Sequence, residues 1–122
     1  MKYLIITLMI FCSAFCSAGE NSTPINKEIR HLLAQLEHSG CKFNRNGSWY
    51  SGSEASDHLR NKYDYLLRKN PQITAEFFIV KAASESSLSG KPYQVQCAGK
   101  PVVISSIWFN NELNSYRKLK SH

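Results

Sequence analysis

One segment of the chain places an acidic residue, a histidine and two basic residues close together, at Glu54, His58, Arg60 and Lys62. Glu54 and His58 are four residues apart, so on a helix they would share one face and could form a hydrogen bond. A carboxylate that orients an imidazole can create a general base or half of a metal site. The same spacing is also common pairing on a helix surface. The pattern therefore permits a small hydrolase or a metal-dependent enzyme, but it does not require one.

The rest of the sequence lacks signatures of metal ions, nucleophiles and phosphate loops. His31 and His38 are seven residues apart, too distant to share one ion unaided, and no HExxH pattern occurs. The serines within 84–89 have neither the S-x-x-K nor the G-x-S-x-G spacing of a catalytic serine. Gly90 and Lys91 lack the upstream glycine of a phosphate loop. We therefore predict no metal site and no cofactor, and we expect these serines to cap backbone groups.

A predicted hairpin offers a possible recognition surface. Arg45 and Asn46 stand at its tip, with Trp49 and Tyr50 nearby, and aromatic side chains supply large contact areas at low entropic cost. Strand alternation requires Phe43 and one of the two later aromatics to face the core.

Phe77 and Val80 form a second apolar strip on a predicted helix, opposite the face expected to be buried. If these side chains are exposed they mark a partner or dimer surface, and if they are buried the helix lies between two layers. The candidate binding residues from both surfaces and from the helix are Arg45, Asn46, Arg60, Lys62, Phe77 and Val80.

Residues 1–18, MKYLIITLMIFCSAFCSA, predict a cleavable secretory signal. Their apolar run is shorter than the roughly 20 residues that a membrane span needs, and small residues follow it up to Ala18. We expect cleavage after Ala18, with Ala14 and Cys16 as alternative sites. The mature protein would then be periplasmic or secreted, without an integral membrane segment.

Removal of the leader takes away Cys12 and Cys16 and leaves Cys41 and Cys97. Two cysteines in an oxidising compartment allow one connectivity, so we predict a Cys41–Cys97 disulfide. The alternative is a pair of unbonded, buried thiols. No CxxC motif or zinc-type spacing is present.

Local patterns predict short helices and strands after the leader. Helix one is expected over 24–39, with Pro24 in its first turn and Gly40 after its end. A hairpin follows, with Asn46-Gly47 as its turn. Helix two is expected from a Ser53 cap to Lys69, and helix three from a Thr74 cap to about Ser86.

The remainder of the chain predicts one strand and one helix. Residues 93–97 alternate like a half-buried strand, and Ser106 to Lys120 has helical spacing. The expected fold class is α+β, with three to four helices packed on a small antiparallel sheet made of the hairpin plus one later strand, and tied by one disulfide. The expected domain is a single unit over 19–122, with its C-terminal helix from about 106.

The combination RNG, EA, HLR.K, TAE.FI and SGKPY, spread between residues 27 and 97, resembles the YfeK-like family of small exported bacterial proteins, a domain of unknown function. The resemblance implies a location in a Gram-negative cell envelope. It supplies no catalytic or binding residues. The chain departs from the family pattern at Phe77 and Val80, which are more often polar, and in its cysteine pair, which is not universal. The tail after Gly99 lies outside these motifs.

The leading hypothesis is a non-enzymatic binding or accessory protein of the cell envelope, with an envelope protein or a glycan as its partner. The first alternative is a small hydrolase or metal-dependent enzyme centred on Glu54 and His58. The second is a basic protein that adsorbs to anionic lipid or nucleic acid, since the net charge is +6. The basic residues are scattered, so nucleic acid is not expected. An enzyme predicts a concave pocket beside His58 with a perturbed titration, and a binding module predicts an exposed patch at the hairpin or at Phe77 and Val80.

Overall fold

Four helices and four short strands follow one another along residues 24–121, the part of the chain that this computed structural model describes. In chain order they are α1 (Pro24–His38), β1 (Lys42–Arg45), β2 (Ser48–Ser51), α2 (Gly52–Lys69), α3 (Ala75–Lys81), β3 (Gln94–Gln96), β4 (Val103–Ile104) and α4 (Ser105–Lys120). The predicted α+β class is therefore confirmed. The expected leader, residues 1–18, lies outside the described residues.

The strands form an antiparallel sheet in the order β2-β1-β3-β4. Phe43 of β1 is paired with Tyr50 of β2 and with Val95 of β3, and both Phe43 and Val95 are buried against the helices. The predicted sheet lacked β4, because two residues are too few to show alternation.

The hairpin turn adopts the backbone that its sequence predicts. Asn46 and Gly47 both have positive φ, 54° and 86°, as a type I′ turn requires. The Gly47 amide also donates a hydrogen bond of 2.9 Å to Oδ1 of Asn44. The turn therefore fixes the register of β1 and β2, with Arg45 opposite Ser48.

Helix α2 begins two residues earlier than predicted, and its cap is Ser51 rather than Ser53. The Ser51 hydroxyl accepts a hydrogen bond from the Glu54 amide, and the Glu54 carboxylate returns to Ser51. This reciprocal arrangement is a capping box. It satisfies two donors at once, which a Ser53 cap with Ser56 in the third position could not do.

Helix α3 ends at Lys81, five residues before the predicted end. The Ser84 hydroxyl donates a 2.6 Å hydrogen bond to the Ile79 carbonyl, which also accepts from the Ala83 amide at 3.2 Å, so a side chain adds a second donor where the helix ends. Beyond it, Tyr93 N donates to the Ser84 carbonyl at 2.9 Å, and Ser86 N donates to the Lys91 carbonyl at 3.0 Å. Residues 84–93 therefore form a hydrogen-bonded loop, which we call the serine loop.

The helices pack one face each into a common core. Helical spacing predicts apolar faces on α1, α2 and α3, and these are buried at Ile29, Leu32, Leu33, Leu36, Ala55, Leu59, Tyr63, Ala75, Phe78, Ile79 and Ala82. Leu66, the last residue of the predicted α2 face, is only partly buried. The predicted C-terminal helix docks on the domain through buried Phe109 and Leu113, and Tyr116 stacks on His31 at 4.1 Å between ring centroids. The side chain of Ile25, which belongs to the predicted α1 stripe, lies outside the described residues.

A Cys41–Cys97 disulfide is present, as predicted. It joins the residue before β1 to the residue after β3, so it ties the two central strands at one end. The Cys41 side chain belongs to the buried core, and Cys97 packs against that core.

Candidate functional site

A cavity of about 300 Å³ opens along one face of α2, and we call it the α2 cavity. Its lining residues are His58, Asn61, Lys62, Tyr65, Leu66, Lys81 and Ser87. A smaller cavity of about 150 Å³, the hairpin cavity, is lined by Phe43, Arg45, Tyr50, Glu54, Ala55 and His58. His58 lines both. The structure therefore places the predicted histidine at the junction of two concave spaces.

Two elements, α2 and β1, bring basic side chains to this junction. His58 and Lys62 are one turn apart on α2, so they share a face. Arg45 is the last residue of β1 and comes to the same junction because the hairpin packs beside α2. The capping box at Ser51 and Glu54 sets where α2 begins, and it thereby sets which residues of the helix face the cavity.

Lys62 is held by hydrogen bonds to two groups of the serine loop. Its Nζ donates to the Tyr93 hydroxyl at 3.2 Å and to the Glu85 carbonyl at 3.3 Å. An ammonium group has three donors, so one remains for another acceptor. Tyr93 itself is fully buried, and its ring meets that of His58 edge-on with centroids 6.5 Å apart.

The electrostatics of the junction disfavour further positive charge. Burial lowers the pKa of His58, and the charges of Arg45 and then Lys62 lower it further. Burial also lowers the pKa of Lys62, and Arg45 opposes the Lys62 charge more strongly than Glu85 supports it. Burial raises the pKa of Tyr93. Burial and the neighbouring charges therefore both favour the neutral imidazole of His58.

Arg45, His58 and Lys62 form no ion pair with any carboxylate of the described residues. Cζ of Arg45 lies 5.1 Å from the centroid of the Tyr50 ring. Within residues 24–121, neither the Arg45 side chain nor the His58 ring forms a hydrogen bond. No buried side-chain nitrogen or oxygen in the described part of the chain lacks a partner. The donors of Arg45 and His58 are therefore open to solvent and to a ligand.

Glu54, the predicted partner of His58, is engaged elsewhere. Its Oε1 accepts hydrogen bonds from the Ser51 hydroxyl at 3.0 Å and from the Ser51 amide at 3.4 Å. No hydrogen bond joins Glu54 to His58 among the described residues, although both line the hairpin cavity. The structure thus brings the two together without the hydrogen bond that would orient the imidazole.

Asn46 and Arg60 make contacts outside both cavities. The Asn46 side chain donates to Ser86 Oγ at 3.1 Å and accepts from Ser89 Oγ at 2.6 Å, which attaches the hairpin turn to the serine loop. Arg60 is exposed and pairs with Asp57 on the same helix at 3.5 Å.

The strip formed by Phe77 and Val80 faces solvent. Phe77 is 37% exposed and Val80 is 62% exposed, while Phe78 and Ile79 on the other side of α3 are buried. The strip is therefore accessible to a partner, and its use as a partner surface stays a prediction.

Within residues 24–121, no three His, Cys, Asp or Glu side chains are grouped so that they could hold a metal ion. No helix in that range is both long enough and apolar enough to cross a bilayer.

The sequence pattern missed several residues of the α2 cavity. Tyr65 lies four residues after Asn61 on α2, and Leu66 lies four residues after Lys62, so each pair shares a helix face. Helical spacing therefore could have predicted that Tyr65 and Leu66 line the cavity. Lys81 and Ser87 come from beyond α2, and no local pattern indicates that they line the same cavity.

Comparison with known proteins identifies the class to which this fold and site belong. The chain belongs to a family of unknown function (DUF5329), whose model matches residues 23–117. It is similar to the uncharacterized protein YfeK of Salmonella typhimurium strain LT2, with 34% identity over 89 residues that cover 73% of this chain and 71% of that protein. No solved structure matches. The YfeK-like resemblance is confirmed, and the family match extends beyond Gly99 to include β4 and most of α4.

Proposed function

We propose that the mature chain is an exported binding protein of the bacterial envelope that takes a small ligand in the α2 cavity. The observation that carries this proposal is the convergence of Arg45, His58 and Lys62 on one junction without an ion-paired carboxylate among the described residues. The leader predicted over 1–18 and the Cys41–Cys97 disulfide support export, because disulfides persist in oxidising compartments.

A small hydrolase with His58 as its general base is the second candidate. It is favoured by the position of His58 in a concave space and by its lowered pKa, which leaves the imidazole neutral and able to accept a proton. It ranks second because Glu54 is committed to Ser51 and does not orient the ring. A metal-dependent version would need ligands beyond Glu54 and His58.

The accessory role proposed for the protein would use its outer surfaces. The exposure of Phe77 and Val80 supports an envelope protein as partner on α3. The hairpin supports a glycan less well, because Asn46 is hydrogen-bonded to the serine loop, Trp49 is 41% exposed and Tyr50 is partly buried.

The test is the melting temperature of the oxidised mature protein with divalent metals, peptidoglycan fragments, anionic lipids and envelope metabolites. A ligand that binds the native state raises the melting temperature by mass action. The shift should vanish in His58→Ala and persist in His38→Ala, since His38 is exposed at the end of α1.

A ligand whose shift survives His58→Ala, or the absence of any ligand that raises the melting temperature, would overturn the proposal. Chemical conversion of the bound ligand, lost in His58→Ala, would instead select the hydrolase.

A further inference from the structure

We propose that the ligand is an organic acid whose carboxylate or phosphate head binds where the two cavities meet at His58, between Arg45 of the hairpin cavity and Lys62 of the α2 cavity. Its small apolar body would pack against Tyr65 and Leu66 in the α2 cavity. This inference rests on the proposed function, since it specifies the ligand of the same cavity.

The acidic head follows from the donors that remain open. Lys62 has one ammonium proton beyond its hydrogen bonds to Tyr93 and Glu85, and Arg45 has its whole guanidinium fork. That fork matches the paired oxygens of a carboxylate or phosphate. An anion between these groups would replace repulsion between like charges with attraction to each of them.

Two carboxylates near the junction compete only weakly with such an anion. Glu54 is held by Ser51 and forms no ion pair with Arg45. The Glu85 carboxylate stabilises the charged form of Lys62 less than the Arg45 charge destabilises it. The net effect of these two charges on the Lys62 ammonium group is therefore unfavourable. The site therefore lacks the internal counter-ion that would make a bound anion redundant.

The small apolar body follows from the shape and lining of the α2 cavity. A volume of about 300 Å³ lies at the lower end of the range for ligand cavities. The Tyr65 ring is 53% exposed, and Leu66 is only partly buried, so both present apolar surface along the same stretch of α2 that carries Lys62. A body the size of one ring or a short acyl chain fits this space.

The experiment uses four probes that share a phenyl ring and differ in charge: phenyl phosphate, phenylacetate, benzyl alcohol and benzylamine. Affinity for the oxidised mature protein is measured by calorimetry, and the His58 ring protons are followed by NMR. At least one acid should bind about tenfold more tightly than benzyl alcohol, because hydrogen bonds to a charged group are stronger than neutral ones. Benzylamine should bind most weakly.

Single substitutions test which side chains bind the acidic head group. Arg45→Gln and Lys62→Gln should each weaken binding of the preferred acid by about tenfold. Lys42→Gln is the matched control, since Lys42 is an exposed residue of the same strand as Arg45 and lines neither cavity. Added salt should weaken acid binding to the unsubstituted protein, which tests the charge without any variant that could unfold.

The outcomes separate the inference from the proposed function. Equal affinity for benzyl alcohol and both acids would overturn the acidic head, while a ligand would still occupy the cavity. Inorganic phosphate that binds as tightly as phenyl phosphate would overturn the apolar body. If no probe binds but another envelope compound raises the melting temperature through His58, the inference alone fails, and if nothing binds at His58 both fail.

Discussion

Nε of Arg117, near the end of α4, donates a hydrogen bond of 2.7 Å to Oε2 of Glu28 in α1. Nη2 of the same guanidinium lies 3.1 Å from the other Glu28 oxygen and 2.6 Å from the Glu76 carboxylate of α3. These pairs hold the pKa of Arg117 above its usual range and contribute to lowering that of Glu76. One side chain therefore joins the last helix to two others.

Replacement of Arg117 by Met should lower the free energy of unfolding by about 1 kcal/mol. Exposed pairs contribute little individually, but a bidentate contact within a network contributes more. The measurement is urea unfolding at low and high salt, and the loss should shrink in high salt. Arg60→Met is the control, since Arg60 has only an exposed pair with Asp57. A loss no larger than that of the control would show that the network does not hold α4.

The lowered pKa of His58 predicts that the protein becomes less stable as the pH is lowered. The unfolded state binds the proton near the ordinary value of 6.5, whereas the native state binds it only at lower pH, so protonation favours unfolding. The penalty is absent well above 6.5, grows as the pH falls from that value toward the lowered native pKa, and stays constant below it. The charged or titratable residues that line a cavity together with His58 are Arg45, Tyr50, Glu54, Lys62, Tyr65 and Lys81, and the Tyr93 ring contacts it edge-on.

Urea unfolding at about pH 7.5 and about pH 5.5 tests this dependence. His58→Gln should reduce the difference in unfolding free energy between the two values, and His38→Gln, an exposed histidine, serves as the control. An unchanged difference in His58→Gln would contradict the lowered pKa.

Loss of the Cys41–Cys97 disulfide should destabilise the protein by up to about 4 kcal/mol, because the bridge restricts the unfolded chain over a separation of 56 residues. The comparison is urea unfolding with and without dithiothreitol. The Cys41→Ala, Cys97→Ala double variant should unfold like the reduced protein and should not respond to dithiothreitol. A response in that variant would mean that the reductant acts elsewhere.

Gly52, the first residue of α2, lies close to the backbone at the end of α1. The Cβ of an alanine at Gly52 would overlap the Leu36 carbonyl oxygen, which belongs to the backbone and cannot rotate away. Gly52→Ala should therefore lower the free energy of unfolding by about 2 kcal/mol. Gly47→Ala is the matched comparison, because its Cβ meets nothing within 4 Å and only the positive φ of 86° is strained.

Chemical denaturation of both glycine variants gives the two losses directly. The expected loss for Gly47→Ala is about 1 kcal/mol. If Gly52→Ala is the milder of the two, the contact between α1 and α2 is looser than the structure shows.

The leader predicted over 1–18 can be tested on the exported protein. Mass spectrometry of the periplasmic fraction should find a mature chain that begins at Gly19, because small residues precede the expected cut. Chains that begin at Phe15 or Ser17 would indicate the alternative sites, and an intact Met1 in the cytoplasm would contradict export.

Signals that span a few residues were sufficient for most elements. The Asn46-Gly47 turn and the Thr74 cap of α3 were correctly predicted, because each depends on backbone angles or hydrogen bonds among near neighbours. The Ser51 cap also has a local sequence signal, because Glu54 stands three residues later. The prediction of a Ser53 cap did not use that signal and was wrong. The early end of α3 was missed because it depends on how the serine loop returns to pair with the chain near Tyr93.

Some residues of the candidate site are likewise predictable from local sequence, and others come together only on folding. Helical spacing alone predicts that His58 and Lys62 are neighbours. The pairing of Cys41 with Cys97 is predicted separately, because they are the two cysteines that remain after the leader. Arg45 and Tyr93 reach the junction only because β1 pairs with β3 and the hairpin packs beside α2. The mutual repulsion of the basic side chains, and the burial that strengthens it, therefore arise only in the tertiary structure, because charges distant along the chain interact strongly only when folding brings them together and excludes water.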